Sequence, residues 1–146
     1  MLIYAQEIPK GKRRGSTMPK LLHCADLHLD SPFRDRDAER SARRRRELRR
    51  IFSSMIDYVK AEKIPLVLIA GDLFDGACVT SDTVAYVKEA FASAPDCRFV
   101  IAPGNHDPRT PDSVYEKEAF PDNVYVFQGD QLSSFDFPEL NTTVYG

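Results

Sequence analysis

The sequence predicts an α/β domain built on a largely parallel sheet. Short, continuous apolar runs alternate with stretches whose apolar residues recur every three or four positions, and this alternation is typical of βαβ units. Three of the apolar runs are followed at once by a polar cluster: Asp-x-His, Gly-Asp-x-x-Asp and Gly-Asn-His-Asp. Because ligands bind beyond the carboxyl ends of parallel strands, we expect these clusters to converge on one site.

The elements follow in regular order along the chain. Buried strands are predicted at residues 21–25, 66–70, 98–102, 124–127 and 142–145, the last of them cut off as it forms. Between them lie a long helix with apolar positions from Leu48 to Val59, a helix capped by Thr80 or Ser81, and a short helix from Thr110-Pro111 to about Ala119. His23 lies inside the first strand, and we expect it to be packed in the core rather than to bind metal.

Length and composition exclude several classes of protein. A chain of 146 residues is sufficient for one domain with a core. Its net charge of −2 excludes a nucleic-acid binder that acts through overall charge, so any such role needs a local patch. No apolar run reaches the roughly 20 residues of a membrane span. Three cysteines without paired spacing fit the reducing cytoplasm.

Residues 1–17 are expected to be a disordered basic leader, followed by the domain proper at residues 18–146. The basic run Lys10-Gly11-Lys12-Arg13-Arg14 has no apolar segment after it, so a signal peptide is not indicated. A basic arm that touches DNA is the weaker alternative, because only charge supports it.

Asp26 and His28 form the first candidate metal-binding pair. In an extended chain, residues two apart project to the same side. A carboxylate oxygen and an imidazole nitrogen can then share one cation such as Mn²⁺, Fe²⁺ or Zn²⁺. Alone the pattern is weak, since a capped loop with a surface histidine has the same appearance.

The other two clusters add complementary groups. Gly71 permits a sharp turn that directs Asp72 over the sheet edge, where its carboxylate can bridge two cations. Asp75 either orients a ligand or satisfies the loop backbone, and the second role is favoured. Asn105 offers an uncharged oxygen ligand. His106 is a candidate general acid or a hydrogen-bond donor to a phosphate oxygen, and Asp107 is expected to fix its tautomer.

Together the three clusters resemble those of the calcineurin-like metallophosphoesterases. The stretch from Leu22 to Phe33 and the form Gly71-Asp72-Leu73-Phe74-Asp75 resemble the SbcD-type DNA repair exonucleases more specifically. The resemblance runs from about residue 20 to the end of the chain. It implies that the chain is the N-terminal portion of a calcineurin-like α/β sandwich, truncated within the domain.

The resemblance also implies roles for single residues. Asp26 and His28 would bind the first metal, Asp72 would bridge both metals, Asn105 would bind the second, and His106 would assist the leaving group. The two ions would be divalent, with Mn²⁺ as the first choice and Fe²⁺, Zn²⁺ or Mg²⁺ as alternatives. The family needs three further histidines, which this chain lacks after His106, so we expect it to be inactive alone.

Seven arginines crowd the start of the long helix, and Arg43, Arg46 and Arg50 share one face of it. These three are candidates for contact with DNA phosphates. The alternative is a solvated face whose arginine stems cover apolar surface. This alternative is slightly favoured, because no aromatic residue is interleaved for base stacking.

The predicted function is metal-dependent hydrolysis of DNA phosphodiesters by a cytoplasmic exonuclease of the repair type. A small-molecule phosphodiesterase or phosphatase of the same superfamily is the first alternative. A non-catalytic binding module that has lost its metals is the second. The resemblance implies DNA, an SbcC-like coiled-coil ATPase and a second copy of the chain as partners, and no membrane.

Overall fold

The computed structural model describes residues 4–7, 20–33, 38–76, 78–129 and 131–146. In chain order its elements are β1 (Tyr4–Glu7), β2 (Leu21–Cys24), α1 (Ala38–Ala61), β3 (Leu66–Ala70), α2 (Ser81–Ala92), β4 (Arg98–Ala102), α3 (Val114–Lys117), β5 (Val124–Val126), β6 (Ser134–Phe137), a 3₁₀ turn at Pro138–Leu140, and β7 (Thr142–Tyr145).

Strands β2, β3, β4 and β5 form a parallel sheet in that order. All their connections run over helices, as the alternating pattern predicts, and the register pairs Cys24 with Ile69 and Ile69 with Ile101. The predicted α/β class with a parallel core sheet is confirmed. Since the strands end at one edge, the three polar clusters follow β2, β3 and β4 at that edge. In the described part of the chain, no helix is both long and apolar enough to cross a membrane.

One face of this sheet is covered by α1 and α2. Phe52, Ile56 and Val59 of α1 pack with Phe91 of α2 in a single apolar cluster, and full burial of such a side chain stabilises a fold by about 1.5–3 kcal/mol. Ile51 departs from the predicted apolar stripe, because its side chain is 55% exposed. The stripe is therefore narrower than the sequence suggested.

The other face is covered by a small antiparallel sheet in the order β1-β7-β6. Its residues Phe137 and Val144 pack against Leu68 and Val100 of the parallel sheet. The predicted strand at 142–145 is confirmed, but it belongs to this second sheet. β6 was not predicted. Within the expected disordered leader, residues 4–7 instead form β1, whose backbone pairs with β7; residues 1–3 and 8–19 lie outside the described part.

His23 is exposed, so the prediction of a core histidine is wrong. β2 is an edge strand of the parallel sheet, with β3 as its neighbour. Its side chains alternate, and Leu21 and His23 lie on the more exposed side while Leu22 and Cys24 are half-buried. A histidine on the exposed side of an edge strand does not need a buried partner.

Helix α3 is shorter than predicted. It covers Val114–Lys117 with Ser113 at its N-cap, whereas the sequence predicted a start at Pro111. The Ser113 N–H donates to the Thr110 carbonyl at 2.9 Å, so Pro111 lies inside a turn. Proline fits the second position of a turn as well as the first position of a helix, and its local signal does not separate the two.

Asn123 is expected to contribute strongly to the stability of the fold. Its buried side-chain amide donates to the carbonyls of Phe91, Ala94 and Cys97, at 3.0, 2.9 and 3.1 Å, in the last turn of α2 and the segment after it. We expect Asn123→Ala to lower the free energy of unfolding by about 2 kcal/mol, because each of these carbonyl oxygens would lose one donor. Urea denaturation tests this; Asn105→Ala, an exposed asparagine, is the control, and a loss equal to the control would contradict the expectation.

Candidate metal centre

The loops that follow β2 and β3 are joined by backbone hydrogen bonds that extend the sheet ladder beyond the strands. The N–H of Asp26 donates to the Gly71 carbonyl at 3.1 Å, and the N–H of His28 donates to the Asp72 carbonyl at 2.9 Å. Leu29 then forms an isolated parallel bridge with Phe74. Two polar clusters that are distant in sequence are therefore fixed beside each other by main-chain contacts.

The backbone of this region is left-handed at four polar residues. Their φ angles are 55° at Asp26, 44° at His28, 65° at Asp30 and 53° at Asp72. Asp26 and His28 do project toward one site, but not from the extended chain that the spacing predicted. Non-glycine residues in this conformation cost of order 1 kcal/mol or more each, and such strain is concentrated at functional sites.

Three side chains from these loops form a group suited to a metal ion. The Nε2 atom of His28 lies 3.9 Å from an oxygen of Asp26 and 3.9 Å from an oxygen of Asp72. The Asp26 side chain is 73% exposed and that of Asp72 only 9%, so the group is open on one side. Two carboxylates and an imidazole are a donor set that Mn²⁺, Fe²⁺ and Zn²⁺ accept, and the predicted ligands Asp26, His28 and Asp72 fit such an ion.

Asp72 connects this group to the third loop. One of its carboxylate oxygens accepts a hydrogen bond from the His106 N–H at 2.8 Å. Gly71, with a φ of 94°, provides the predicted sharp turn, and a Cβ atom at this position would lie 3.3 Å from the Gly104 Cα. The close approach of two glycines lets the Asp72 loop and the Gly104 loop pack backbone against backbone.

His106 lies beside the metal-binding group. Its ring meets the His28 ring edge to face, with 4.8 Å between centroids. Its Nδ1 atom lies 3.6 Å from a carboxylate oxygen of Asp75, and His28, Asp75 and His106 also form a potential ligand group. Asn105 precedes His106 and is exposed. The structure thus places all four predicted metal ligands and His106 on neighbouring loops.

The sequence favoured a loop-backbone role for Asp75. In the structure, Asp75 instead lies beside the His106 ring, where Asp107 was expected. Its carboxylate is 18% exposed and faces the His106 ring. A carboxylate beside one imidazole nitrogen favours the tautomer with the proton on that nitrogen. The regular Gly-Asp-x-x-Asp spacing was the available signal in the sequence, but the spacing alone could not show which histidine it would meet.

Asp107 does not have the predicted role beside His106. Its buried carboxylate accepts four hydrogen bonds from other groups, which are the N–H groups of Asp72 at 3.1 Å, Phe74 at 3.2 Å and Gly104 at 2.7 Å, and the Tyr115 hydroxyl at 2.6 Å. Directly after His106, the chain turns inward, and Asp107 holds the two glycine-containing loops together. Asp107 is therefore a positioning residue rather than a catalytic one.

The Tyr115 hydroxyl is expected to make stability sensitive to alkaline pH. Burial, and then the charge of Asp107, raise the pKa of Tyr115 well above its usual 10.0. Above pH 10 the unfolded chain loses this proton while the folded chain keeps it, so stability falls as pH rises. We expect Tyr115→Phe to reduce this fall in urea unfolding series across alkaline pH. Parallel slopes for the two proteins would contradict it.

Asp30 ties the loop after β2 to the start of α2. Its carboxylate accepts from the Thr80 N–H at 2.9 Å and the Thr80 hydroxyl at 2.8 Å, and lies 3.7 Å from Arg49. Burial alone raises the pKa of Asp30, but hydrogen bonds from Thr83 and Thr80 and the charge of Arg49 outweigh it and lower the pKa. This buried carboxylate, two residues after His28, was not predicted.

Six of the seven arginines of α1 divide into two groups. Arg44, Arg45 and Arg49 contact the protein itself, through the Phe33 ring, the Pro32 carbonyl and Asp30 respectively. The side chains of Arg43, Arg46 and Arg50 are exposed. Self-contacts therefore account for part of the arginine run, while the three predicted phosphate-binding residues point to solvent on one face.

Two substitutions of Asp26 separate the backbone strain at this residue from the binding of metal by its carboxylate. We expect Asp26→Gly and Asp26→Ala to weaken Mn²⁺ binding equally, because both lose the carboxylate. We also expect the glycine variant to be more stable by about 1 kcal/mol, because alanine is strained at positive φ. Urea denaturation gives the difference. The same pair at Asp57, within α1, should give the reverse order; the same order at both positions would contradict the account.

Comparison with known proteins identifies the family of the chain. The family model "Calcineurin-like phosphoesterase" matches residues 19–145. The chain is similar to the uncharacterized metallophosphoesterase YhaO of Bacillus subtilis, with 31% identity over 134 residues, which are 86% of this chain and 32% of that protein. It is also similar to the SbcD subunit of the SbcCD nuclease of Rhodobacter capsulatus, with 28% identity over 95 residues, which are 61% of this chain and 22% of that protein.

The chain thus spans about a third or less of each of these relatives. The match of the family model nevertheless covers the parallel sheet, both large helices and all three metal-centre loops. On this evidence the chain belongs to the calcineurin-like phosphoesterase family, as its sequence clusters indicated.

Proposed function

We propose that this chain provides part of a two-metal centre that hydrolyses DNA phosphodiesters. The observation that carries the proposal is the convergence of Asp26, His28 and Asp72 into one ligand group with His106 beside it. Residues 18–146 would form the N-terminal part of the catalytic domain. Residues 1–17 remain a proposed leader, apart from the strand at Tyr4–Glu7.

Each residue has a proposed task. Asp26 and His28 would hold one divalent ion, Asn105 would hold the second, and the Asp72 carboxylate would serve both. When bound, such a pair of ions neutralises charge on the phosphate and activates water. His106 is 48% exposed; as an imidazolium, its Nε2 would donate a proton to a phosphate oxygen or to the leaving oxygen. The Asp75 carboxylate, 3.6 Å from Nδ1, would orient the ring and stabilise its positive charge.

The ligand set within this chain is small, with three protein ligands for one ion and two for the other. We therefore propose weak Mn²⁺ binding and negligible turnover by the 146-residue chain alone. Efficient hydrolysis would require further histidines supplied from outside it. Mn²⁺ is the proposed ion, because carboxylate, amide and imidazole ligands together suit it; Fe²⁺, Zn²⁺ and Mg²⁺ are the alternatives.

DNA is proposed as the substrate on two observations. One relative is named as part of a nuclease, and the face of Arg43, Arg46 and Arg50 is exposed and free to meet phosphates. A cytoplasmic location, an SbcC-like ATPase partner and a second copy of the chain belong to the same proposal. The similarity to a metallophosphoesterase without a stated substrate keeps a small phosphodiester or a phosphorylated substrate as the second candidate.

Cleavage assays separate these functions. We would measure Mn²⁺-dependent hydrolysis of linear duplex DNA and of bis-p-nitrophenyl phosphate by the chain alone, and by a longer product of the same gene if it encodes the missing histidines. The proposal expects DNA cleavage by the longer protein that His106→Ala reduces by at least tenfold. Hydrolysis of only the small substrate would favour the second candidate. Absence of metal binding would favour a non-catalytic module.

The arginine face can be tested separately through DNA affinity. We expect Arg43→Glu, Arg46→Glu and Arg50→Glu together to weaken duplex binding and to reduce the salt slope by about 2–3, because each lost phosphate contact removes roughly 0.9 from it. The triple variant Lys20→Glu, Lys60→Glu and Lys63→Glu changes the same charge on other exposed positions. Equal effects of the two variants would reject the arginine face.

A further inference from the structure

A cleft of about 640 Å³ opens beside the metal centre, and Asn105 and His106 are among the residues that line it. The other lining residues follow β3, begin α2, or lie between β4 and the C-cap of α3. A substituent on a phosphate held near Asn105 and His106 would therefore extend into this space. Nothing in the proposed metal chemistry uses it.

The inner surface of the cleft is largely apolar. Its apolar lining residues include Phe74, Val79, Val84, Val114 and Tyr115. Tyr115 is held in place by its hydrogen bond to Asp107 and by its ring contact with Phe74, at 6.0 Å between centroids. A concave surface of aliphatic and aromatic groups with a few polar atoms is typical of sites for organic ligands.

One polar atom in the cleft lacks a partner. The Ser113 hydroxyl is shielded from solvent and has no hydrogen bond among the described residues, although Ser113 is the N-cap of α3, where a serine usually accepts one. A shielded hydroxyl without a partner is unfavourable. A ligand with a donor or acceptor at its edge would satisfy it.

The charges at the mouth of the cleft neutralise one another. Lys117 pairs with Asp112 at 2.7 Å, and Glu118 pairs with Lys88 at 3.0 Å. No lysine or arginine among the described lining residues is left to attract an anion. The occupant is therefore expected to be uncharged, in contrast to the phosphate at the neighbouring centre.

We infer that this cleft receives the nucleobase of the nucleotide whose phosphate is bound at the metal centre. A nucleobase is flat and uncharged, has polar atoms on its edge for Ser113, and is joined to phosphate through a sugar that can span the rim. Apolar contact with such side chains does not depend on base identity. The inference rests on the proposed function and assigns the cleft as the binding site for the base of that substrate.

The test compares two phosphate esters that differ by the base. The 146-residue chain with Mg²⁺ is titrated with deoxyadenosine 5′-monophosphate and with 2-deoxyribose 5-phosphate, and affinities and backbone amide shifts are recorded by NMR. We expect the nucleotide to bind about tenfold tighter or better, as burial of one base against apolar side chains allows. Its additional shifts should fall on Val79, Val84 and Val114.

Two substitutions test the walls. Ser113→Ala should reduce nucleotide affinity about two- to tenfold, the range of one hydrogen bond, and leave the affinity for 2-deoxyribose 5-phosphate unchanged. Ser93→Ala, at the far end of α2, is the matched control. If Ser113→Ala unfolds the chain, Val114→Phe, which narrows the cleft at a half-buried position, replaces it and should abolish the preference for the base.

The outcomes separate this inference from the function on which it rests. Equal binding of the two esters, or base-dependent shifts outside the cleft, would overturn the nucleobase assignment and leave the metal-phosphate centre intact. Failure of both esters and of Mg²⁺ to bind would overturn both proposals. Tighter nucleotide binding with shifts in the cleft and loss on Ser113→Ala supports both.

Discussion

Replacing Asp107 by alanine is expected to lower the free energy of unfolding by about 4 kcal/mol. The substitution would leave the N–H groups of Asp72, Phe74 and Gly104 and the Tyr115 hydroxyl without their acceptor. Each buried donor without a partner costs about 1–3 kcal/mol, with some relief from water that enters the gap. Urea denaturation of the two proteins measures the difference.

Asp107→Asn is the informative companion, because it keeps one acceptor oxygen and should lose about half as much. Asp122→Ala, at an exposed aspartate, controls for the loss of a carboxylate and should change stability by less than about 0.5 kcal/mol. If Asp107→Ala were as mild as Asp122→Ala, the four hydrogen bonds would not hold the loops in solution.

Gly104→Ala is expected to lower the free energy of unfolding by about 3 kcal/mol and to weaken metal binding as well. The added methyl group would lie 2.6 Å from the Asp72 backbone nitrogen and in contact with the Asp72 carboxylate. A backbone atom cannot rotate away as the end of a flexible side chain can, so the whole Asp72 loop would have to shift. The loss of stability is expected to be similar to that caused by overpacking a core. Urea denaturation and Mn²⁺ titration on the same samples measure both effects.

Gly129→Ala is the matched control for the methyl group. Gly129 has a φ of 80° and no neighbouring atom within 4 Å of the added group, so this variant carries conformational strain of about 1 kcal/mol without a clash. It should not alter Mn²⁺ affinity. An effect of Gly104→Ala no larger than that of Gly129→Ala would mean that the two loops do not pack as closely as described.

Much of the fold could be predicted because its signals are local. The strands of the parallel sheet are short apolar runs, and helix α2 has both a capping threonine and a regular apolar face. The arrangement of these elements followed from the alternation of strands and helices alone. The small sheet could not be predicted in the same way, because β1 and β7 pair across most of the chain.

The candidate site was predicted in its parts but not in its internal contacts. The residue types of Asp26, His28, Asp72 and Asn105 identified the loops. The predicted partner of the His106 ring, Asp107, was wrong. Asp107 was favoured because it is adjacent in sequence, but the chain turns after His106, and Asp75 lies beside the ring instead. The cleft could not be predicted from the sequence, because the residues that line it come from different loops.

Titration with Mn²⁺ tests the convergence of the three loops most directly. Wild-type chain and Asp72→Asn would be compared by electron paramagnetic resonance of free Mn²⁺. Asparagine has nearly the same shape as aspartate, tolerates the left-handed backbone and can still accept from the His106 N–H. The substitution therefore removes only the negative charge of the ligand. We expect saturable binding by the wild-type chain, which Asp72→Asn weakens by at least tenfold, about 1.4 kcal/mol. Equal affinity of the two proteins, or no saturable binding by the wild-type chain, would contradict it.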